Sequence, residues 1–261
     1  MITVENLSKD IQARRLITDI SFSVPEGSAL AIVGPNGAGK SVALRATGLV
    51  DPPTTGTVRI GGTTYVFPGG RTVTPPPWPS LTVVFQQLFL WPHLTLRQNA
   101  LLQLRTNRDE ICSKRLHQFV DLFQLGGAID RYPNEVSLGQ RQLGAIIRAL
   151  VIHPRPKCLL LDECTSALDV EQTSRVLELL MQLKKHDKLT IVFVSHLLGF
   201  AAALADQVLF IENGMAGERG GPEILARPRT DRMRRFVSLV ESLSDNERDS
   251  DKDRQSLVTH P

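Results

Sequence analysis

A glycine-rich segment that ends in lysine and serine constrains the fold more than any other feature of this chain. It reads Gly34, Pro35, Asn36, Gly37, Ala38, Gly39, Lys40, Ser41. The apolar run Ala29–Val33 before it predicts a buried strand, and Val42–Ala46 after it predicts the start of a helix. A G-x-x-x-x-G-K-S pattern between a strand and a helix is typical of a phosphate-binding loop. We therefore expect the chain to bind a nucleoside triphosphate.

The residue types of this loop suit a bound phosphate. Glycines let the backbone curl so that its N–H groups face an anion, and the following helix adds the positive end of its dipole. The ammonium group of Lys40 is expected to contact the β- and γ-phosphates, and the hydroxyl of Ser41 is expected to bind Mg²⁺.

Length, charge and cysteine content exclude several other classes of protein. A chain of 261 residues can hold one large α/β domain, with or without a subdomain. The net charge is +3 and no basic stripe is visible, so the sequence does not indicate nucleic-acid binding. The 3 cysteines form no C-x-x-C pair, which favours buried thiols in a reducing cytoplasm. No apolar run approaches the ~20 residues of a membrane span, and no export signal is visible.

Hydrophobic patterning predicts an α/β fold. Continuous apolar runs are typical of strands in a parallel sheet covered by helices, and they occur at Ala29–Val33, Cys158–Leu161, Thr190–Val194 and Val208–Ile211. Helical spacing is found over Val170–Lys185. Residues 1–27 and 57–66 alternate instead, which predicts a small N-terminal antiparallel β subdomain. Residues from about 95 to 150 predict an inserted helical subdomain.

The same patterns give a domain organisation. We expect a single domain over residues 1–240, in which residues 1–86 and 157–240 form the P-loop core and residues 87–156 form the helical subdomain. The polar, charge-mixed residues 241–261 are expected to be a disordered tail.

Three polar residues after apolar strands are candidates for chemistry. Asp162 and Glu163 follow the run Cys158–Leu161, and neighbours on a strand point to opposite faces, so they can take separate roles. Asp162 can orient Mg²⁺, and Glu163 can polarise an attacking water. His196 follows another strand at the carboxyl edge of the sheet, where open α/β sheets bind ligands, and it can donate to a γ-phosphate.

Taken in order, these motifs resemble those of the ATP-binding subunits of ABC transporters, over about residues 2–240. The loop is similar to the Walker A motif of that family and Leu159–Asp162 to Walker B. Glu163 matches the catalytic glutamate, and His196 matches the H-loop histidine. The remaining matches are Gln86 in the Q-loop, Ser166–Asp169 as the D-loop and Tyr132–Gln142 as the signature segment.

The resemblance implies ATP and Mg²⁺ as cofactors and assigns roles to the matching residues. Lys40, Glu163 and His196 would be catalytic, and Ser41, Gln86 and Asp162 would hold the metal. Asp169 and the signature residues Ser137, Gly139 and Gln140 would contribute to nucleotide binding. In this family two subunits pack head to tail, so Ser137 and Gly139 would contact the γ-phosphate bound to the other copy.

The resemblance also implies partners and a location. Such subunits bind separate membrane permeases, often with a substrate-binding protein, at the cytoplasmic face of the cell membrane. The segments Phe85–Thr95 and Asn213–Leu225 look most like those of bacterial importers of polar amino acids.

The chain departs from the family pattern at several positions. Leu138 replaces the first glycine of the signature, and Ile11 stands where an aromatic residue usually stacks on adenine. The sequence also has Val136, Leu143, Gly144, Cys164 and Leu197 at positions where the family prefers other residues. If the φ angle of Leu138 is negative, its side chain points away from phosphate, and we expect it to be tolerated. Adenine stacking at Ile11 is expected to be weak.

Two other functions stay open at this point. One is a soluble ABC ATPase that acts on nucleic acid or ribosomes, although the chain has one set of motifs and no heptad array. The other is a regulator that binds nucleotide without hydrolysing it, which only Ile11 and Leu138 favour. The intact Lys40, Asp162 and Glu163 favour hydrolysis.

Overall fold

A six-stranded sheet carries the glycine-rich loop and the candidate acids at its carboxyl edge. The computed structural model of the chain describes residues 1–12, 14–68, 75–103, 110–152 and 154–242. The strands of this sheet are β3 (Ala29–Val33), β6 (Leu81–Val84), β7 (Cys158–Asp162), β8 (Thr190–Val194), β9 (Gln207–Glu212) and β10 (Met215–Gly220). Their order is β10-β9-β3-β8-β7-β6, and all neighbours are parallel except the edge strand β10.

The predicted antiparallel sheet is present at the N-terminus. It contains β1 (Ile2–Ile11), β2 (Arg14–Val24), β4 (Thr55–Ile60) and β5 (Thr63–Phe67), in the order β2-β1-β4-β5. Its alternating apolar residues, such as Ile2, Val4 and Ile20, are fully or almost fully buried.

The helices occupy the connections between strands. They are α1 (Lys40–Thr47), α2 (Leu96–Leu101), α3 (Glu110–Leu122), α4 (Leu138–Leu150), α5 (Val170–His186), α6 (Leu198–Leu204), α7 (Glu223–Ala226) and α8 (231–242). Between β6 and β7 the described residues contain helices and a 3₁₀ turn but no strand. A membrane span would need a longer and more apolar helix than any within the described ranges.

Both faces of the parallel sheet are buried. Successive side chains of β3 point alternately into two hydrophobic cores, one on each face. Ala29, Ala31 and Val33 pack with residues of α3, α4, α5 and α6. Leu30 and Ile32 pack with α1 and the antiparallel sheet. This two-sided burial explains why the strand reads as a continuous apolar run rather than an alternating one.

Two strands of the parallel sheet were not predicted from the sequence, for physical reasons. Leu81–Val84 has only four residues and follows a proline-rich segment, so its apolar signal is short. Met215–Gly220 is an exposed edge strand of residues with low β-propensity, and among the strands of the described residues it pairs only with β9. The predicted tail, residues 241–261, lies outside the described residues except for residues 241 and 242, which belong to α8.

Candidate active site

The glycine-rich loop connects β3 to α1 and approaches other segments too closely for larger side chains. At Gly34, where φ is +149°, a Cβ atom would lie 2.0 Å from the carbonyl oxygen of Ile211 in β9. At Gly39, where φ is +98°, it would lie 2.8 Å from Cγ2 of Ile17. The glycines are therefore required both by the left-handed backbone and by packing.

Lys40 holds this loop in its curled shape. Its Nζ donates hydrogen bonds to the carbonyl oxygens of Gly34 and Pro35, each at 2.9 Å. The side chain is buried, and burial lowers the pKa of Lys40, whereas the nearby carboxylates of Glu163 and Asp162 act in the opposite direction. The ammonium group therefore lies at the base of the loop, where a phosphate would be bound.

A cleft of about 560 Å³ opens above the loop, and we call it the central cleft. The structure brings most of the sequence-predicted residues together around it. Its lining consists of Leu16, Asn36, Gly37, Ala38, Gly39, Lys40, Ser41, Val42, Gln86, Glu163 and His196. A polar cleft at the carboxyl edge of a parallel sheet and at a helix N-terminus is suited to an anionic ligand.

Ser41 and Asp162 form the contact that suits a divalent cation. The Ser41 hydroxyl donates to Oδ1 of Asp162 at 2.6 Å. Oδ2 of Asp162 is buried without a hydrogen-bond partner, and it lies 3.6 Å from Nε of Arg45. Burial raises the pKa of Asp162, although Ser41 and Arg45 lower it. An unsatisfied carboxylate oxygen beside a hydroxyl fits Mg²⁺, which prefers oxygen ligands and completes its shell with phosphate and water.

The Glu163 carboxylate accepts two hydrogen bonds at the edge of the cleft. Nε2 of Gln86 donates to Oε2 at 3.0 Å, and Nε2 of His196 lies 2.7 Å from Oε1. The φ angle of Glu163 is +51°, so Glu163 follows β7 in a left-handed conformation and is not part of the strand. The expectation that strand alternation separates Asp162 from Glu163 is therefore wrong, because the change in backbone conformation separates them.

The signature residues do not line the central cleft of their own chain. Ser137 caps α4: its Oγ accepts from the backbone N–H of Gln140 at 3.2 Å. In return, Oε1 of Gln140 accepts from the backbone N–H of Ser137 at 3.0 Å. This reciprocal capping box places Ser137 at the start of the helix, beside its first N–H groups.

Asp169 also has a local role that the sequence analysis did not predict. Its carboxylate accepts from the backbone N–H of Gln172 at 2.7 Å and so caps α5. It does not line the central cleft, and its proposed part in nucleotide binding therefore stays a prediction.

Leu138 is the first residue of α4, so its backbone is helical and its φ angle is negative. Its side chain is 53% exposed. We expect Leu138→Gly to change the ATPase rate by less than ~5-fold, under ~1 kcal/mol in the barrier, because no left-handed backbone is needed there. Steady-state ATPase measurement checks this, and a much larger activation would instead favour the binding-only regulator.

Two apolar residues of the cleft were missed from the sequence. Leu16 and Val42 line it, whereas Ile11 is 43% exposed at the end of β1 and is not part of the lining. The stacking role suggested for the Ile11 position stays untested. No spacing rule marks Leu16, because only the packing of β2 beside the loop brings it to the cleft.

Comparisons with known proteins agree with these features. The family model described as "ABC transporter" matches residues 17–166. The arginine transport ATP-binding protein ArtM of Bacillus subtilis is 36% identical over 244 residues, covering 92% of this chain and 100% of that protein. The glutamine transport ATP-binding protein GlnQ of Escherichia coli is 33% identical over 246 residues, covering 92% and 100%.

A solved structure gives the same fold. It is the dimeric structure of a post-hydrolysis state of the ATP-binding cassette MJ0796 bound to ADP and Pi, and it matches with a TM-score of 0.74 and 26% identity. The match covers 85% of this chain and 99% of that one.

Proposed function

This chain belongs to the ABC transporter family as an ATPase subunit, and on that premise we propose that it powers the import of a polar amino acid through a separate permease. The family assignment rests on a matched region of residues 17–166 and on relatives that align over their whole length. The substrate class is supported by the names of those relatives, which are arginine and glutamine transport proteins.

The convergence of Lys40, Gln86, Glu163 and His196 on one cleft carries the proposal. Lys40 and the loop N–H groups bind the phosphates, and Glu163 orients the attacking water and accepts its proton. His196 and Gln86 hold the Glu163 carboxylate in place through the bonds of 2.7 and 3.0 Å. Ser41, Asp162 and Gln86 would hold Mg²⁺, which supplies charge neutralisation at the phosphates when bound.

We further propose that two copies form a head-to-tail dimer around two ATP molecules. The capped N-terminus of α4 lies outside the central cleft of its own chain, so its free N–H groups can serve a phosphate bound to a second copy. The MJ0796 cassette, 26% identical to this chain, was solved as a dimer.

Ser137→Arg tests the dimer. A bulky cation at the cap would compete with the incoming phosphate of the partner, so we expect hydrolysis to fall at least ~100-fold. ATP binding to the isolated monomer should change less than twofold, because Ser137 does not line the cleft of its own chain. Calorimetric titration and ATPase assays separate the two, and equal losses would indicate a folding defect instead.

An exposed apolar groove beside Gln86 suits the permease. It has a volume of about 340 Å³, and Val50, Trp78, Phe85 and Arg148 are among its lining residues. Phe89 packs edge-on against Phe85, with ring centroids 5.2 Å apart, and is 57% exposed. Exposed aromatic residues that cluster in this way are typical of protein interfaces. We call this groove, together with Phe89 beside it, the docking groove.

A single residue, Gln86, connects the docking groove to the central cleft. Gln86 lies next to Phe85 in the chain and donates to Glu163, so a helix of the permease that moves Phe85 would also disturb the base. Docking of this kind would place the chain at the cytoplasmic face of the membrane as a peripheral subunit.

Membrane co-purification tests the transport proposal. A tagged wild-type chain is expected to retain a polytopic membrane protein, and Phe89→Asp should lose it. Val66→Asp is the matched control, because Val66 is 64% exposed on the antiparallel sheet, away from the groove lining. Proteoliposomes containing the complex should accumulate labelled arginine or glutamine when ATP is supplied. Full ATPase activity with no membrane partner would favour the soluble ATPase instead.

A further inference from the structure

The first turn of α4 packs tightly on the D-loop segment of its own chain. A Cβ atom at Gly139 would lie 2.9 Å from the carbonyl oxygen of Ala167 and 3.1 Å from Oε1 of Gln172. A side chain larger than that of glycine would clash at this position, so the first turn of α4 lies directly against the backbone of the D-loop segment. The helix end that carries Ser137 is therefore in direct contact with the segment that follows Glu163.

Gln142 lies three residues after Gly139, on the same face of α4. It is only 2% exposed, and both polar atoms of its amide are bonded to the loop after β7. Nε2 donates to the carbonyl oxygen of Glu163 at 3.1 Å, and Oε1 accepts from the backbone N–H of Ala167 at 3.1 Å. A buried amide satisfied in this way fixes the backbone that it bridges.

The backbone of Glu163 needs such support. Its φ angle of +51° lies in the left-handed region, which costs a non-glycine residue on the order of 1 kcal/mol. Its N–H donates to the carbonyl of Val194 in β8 at 3.1 Å, and its carbonyl also accepts from Oγ of Ser166 at 3.2 Å. The direction of the Glu163 carboxylate thus depends on a peptide held between β8 and α4.

We propose that Gln142 is a positioning residue that couples the phosphate-contacting end of α4 to the peptide carrying Glu163. The inference rests on the proposed head-to-tail dimer, in which Ser137 and Gly139 contact ATP bound to the other copy. Gly139 and Gln142 are separated by ~4.5 Å along the helix, so a displacement at the cap is transmitted within one turn. ATP in the cleft of one copy would then adjust the general base that serves the cleft of the other.

Gln142→Met removes both hydrogen bonds and keeps a side chain of similar length. We expect kcat to fall ~10-fold, because a small displacement of a catalytic group costs that much or more. The ATP affinity of the monomer should change less than twofold, because Gln142 does not line the central cleft. Gln182→Met, on the exposed face of α5, is the matched control and should keep wild-type kcat. A wild-type kcat in Gln142→Met would overturn the proposal.

Gln142→Glu provides a readout that a purely structural role would not change. A protonated carboxyl group can donate to the Glu163 carbonyl and accept from Ala167, as the amide does. The ionised group places a buried negative charge against that carbonyl, and burial raises the pKa of such a carboxyl group. The ratio of variant kcat to wild-type kcat should therefore rise at least ~5-fold between about pH 8.5 and about pH 6. A flat ratio would contradict positioning through Gln142, and this ratio decides the matter if Gln142→Met does not fold.

Dimer formation separates this inference from the proposed function. In the Glu163→Gln background, adding Gln142→Met should leave the ATP-dependent dimer intact in gel filtration, because Gln142 positions the base and does not contact the partner's phosphate. Loss of the dimer only in the double variant would overturn the inference. Absence of a dimer in Glu163→Gln alone would contradict the head-to-tail arrangement itself.

Discussion

Replacing Lys40 with alanine is expected to weaken ATP binding by on the order of 100-fold, the scale of a lost buried contact to a charged group. Nζ of Lys40 donates to the carbonyl oxygens of Gly34 and Pro35 and lies at the base of the central cleft. The variant loses the charge that neutralises the phosphates and the bonds that shape the loop. Isothermal titration calorimetry with ATP measures the effect directly.

A matched lysine variant shows whether the loss is specific. Lys188 is an exposed residue of the connection after α5, so Lys188→Ala should bind ATP with wild-type affinity. The thermal midpoint of both variants should be followed, because Lys40 is buried and its removal can lower stability. Unchanged ATP affinity in a folded Lys40→Ala protein would contradict the phosphate-loop assignment.

Glu163→Gln is expected to slow hydrolysis at least ~100-fold while ATP binding is retained, since a positioned general base contributes 10²–10⁴-fold. An amide cannot accept the proton of the attacking water, but it is nearly isosteric and still accepts a hydrogen bond from His196. Because γ-phosphate then persists, the proposed head-to-tail dimer should accumulate with ATP. Single-turnover hydrolysis and gel filtration at high protein concentration measure both effects.

Glu178→Gln is the control for this variant, because Glu178 is an exposed residue of α5. Its ATPase rate should equal that of the wild type. Wild-type turnover in Glu163→Gln would mean that another group is the base. A Glu163→Gln chain that binds ATP and stays monomeric would count against the proposed dimer.

The core of the fold could be predicted because its signals are local. Ala29–Val33 and Thr190–Val194 are buried on both faces. Because every side chain of such a strand is buried, its sequence is an unbroken apolar run. The edge strand β10 carries no such run, since within the part of the chain that the structure describes it pairs with one strand only and most of its residues are exposed. A strand can therefore be predicted from a single sequence when its side chains are buried, whereas hydrogen-bonded pairing alone leaves no pattern to detect.

The same distinction holds for the site: residues that are contiguous in the sequence could be predicted, whereas contacts between residues far apart in the sequence could not. The glycine-rich loop is contiguous, so its residues were predicted directly from spacing. The bond between Ser41 and Asp162 joins residues 121 apart, and the bond between Gln86 and Glu163 joins residues 77 apart. No local pattern encodes such contacts: the sequence predicted only that Ser41 and Asp162 both serve Mg²⁺, and it did not predict the bond between Gln86 and Glu163. Leu16 belongs to no motif, and Gln142 ends the signature segment without a predicted role of its own, so only the structure shows where they act.

The loop geometry around Lys40 has a kinetic consequence. Because the bonds from Nζ to Gly34 and Pro35 set the shape of the loop from within the chain, an incoming nucleotide has no segment to order there. ATP and ADP should therefore associate at similar rates, about 10⁶ M⁻¹s⁻¹ or faster, without a slow isomerisation. Stopped-flow mixing with a fluorescent analogue can measure this. Binding of a fresh nucleotide would then not be the step that limits the transport cycle.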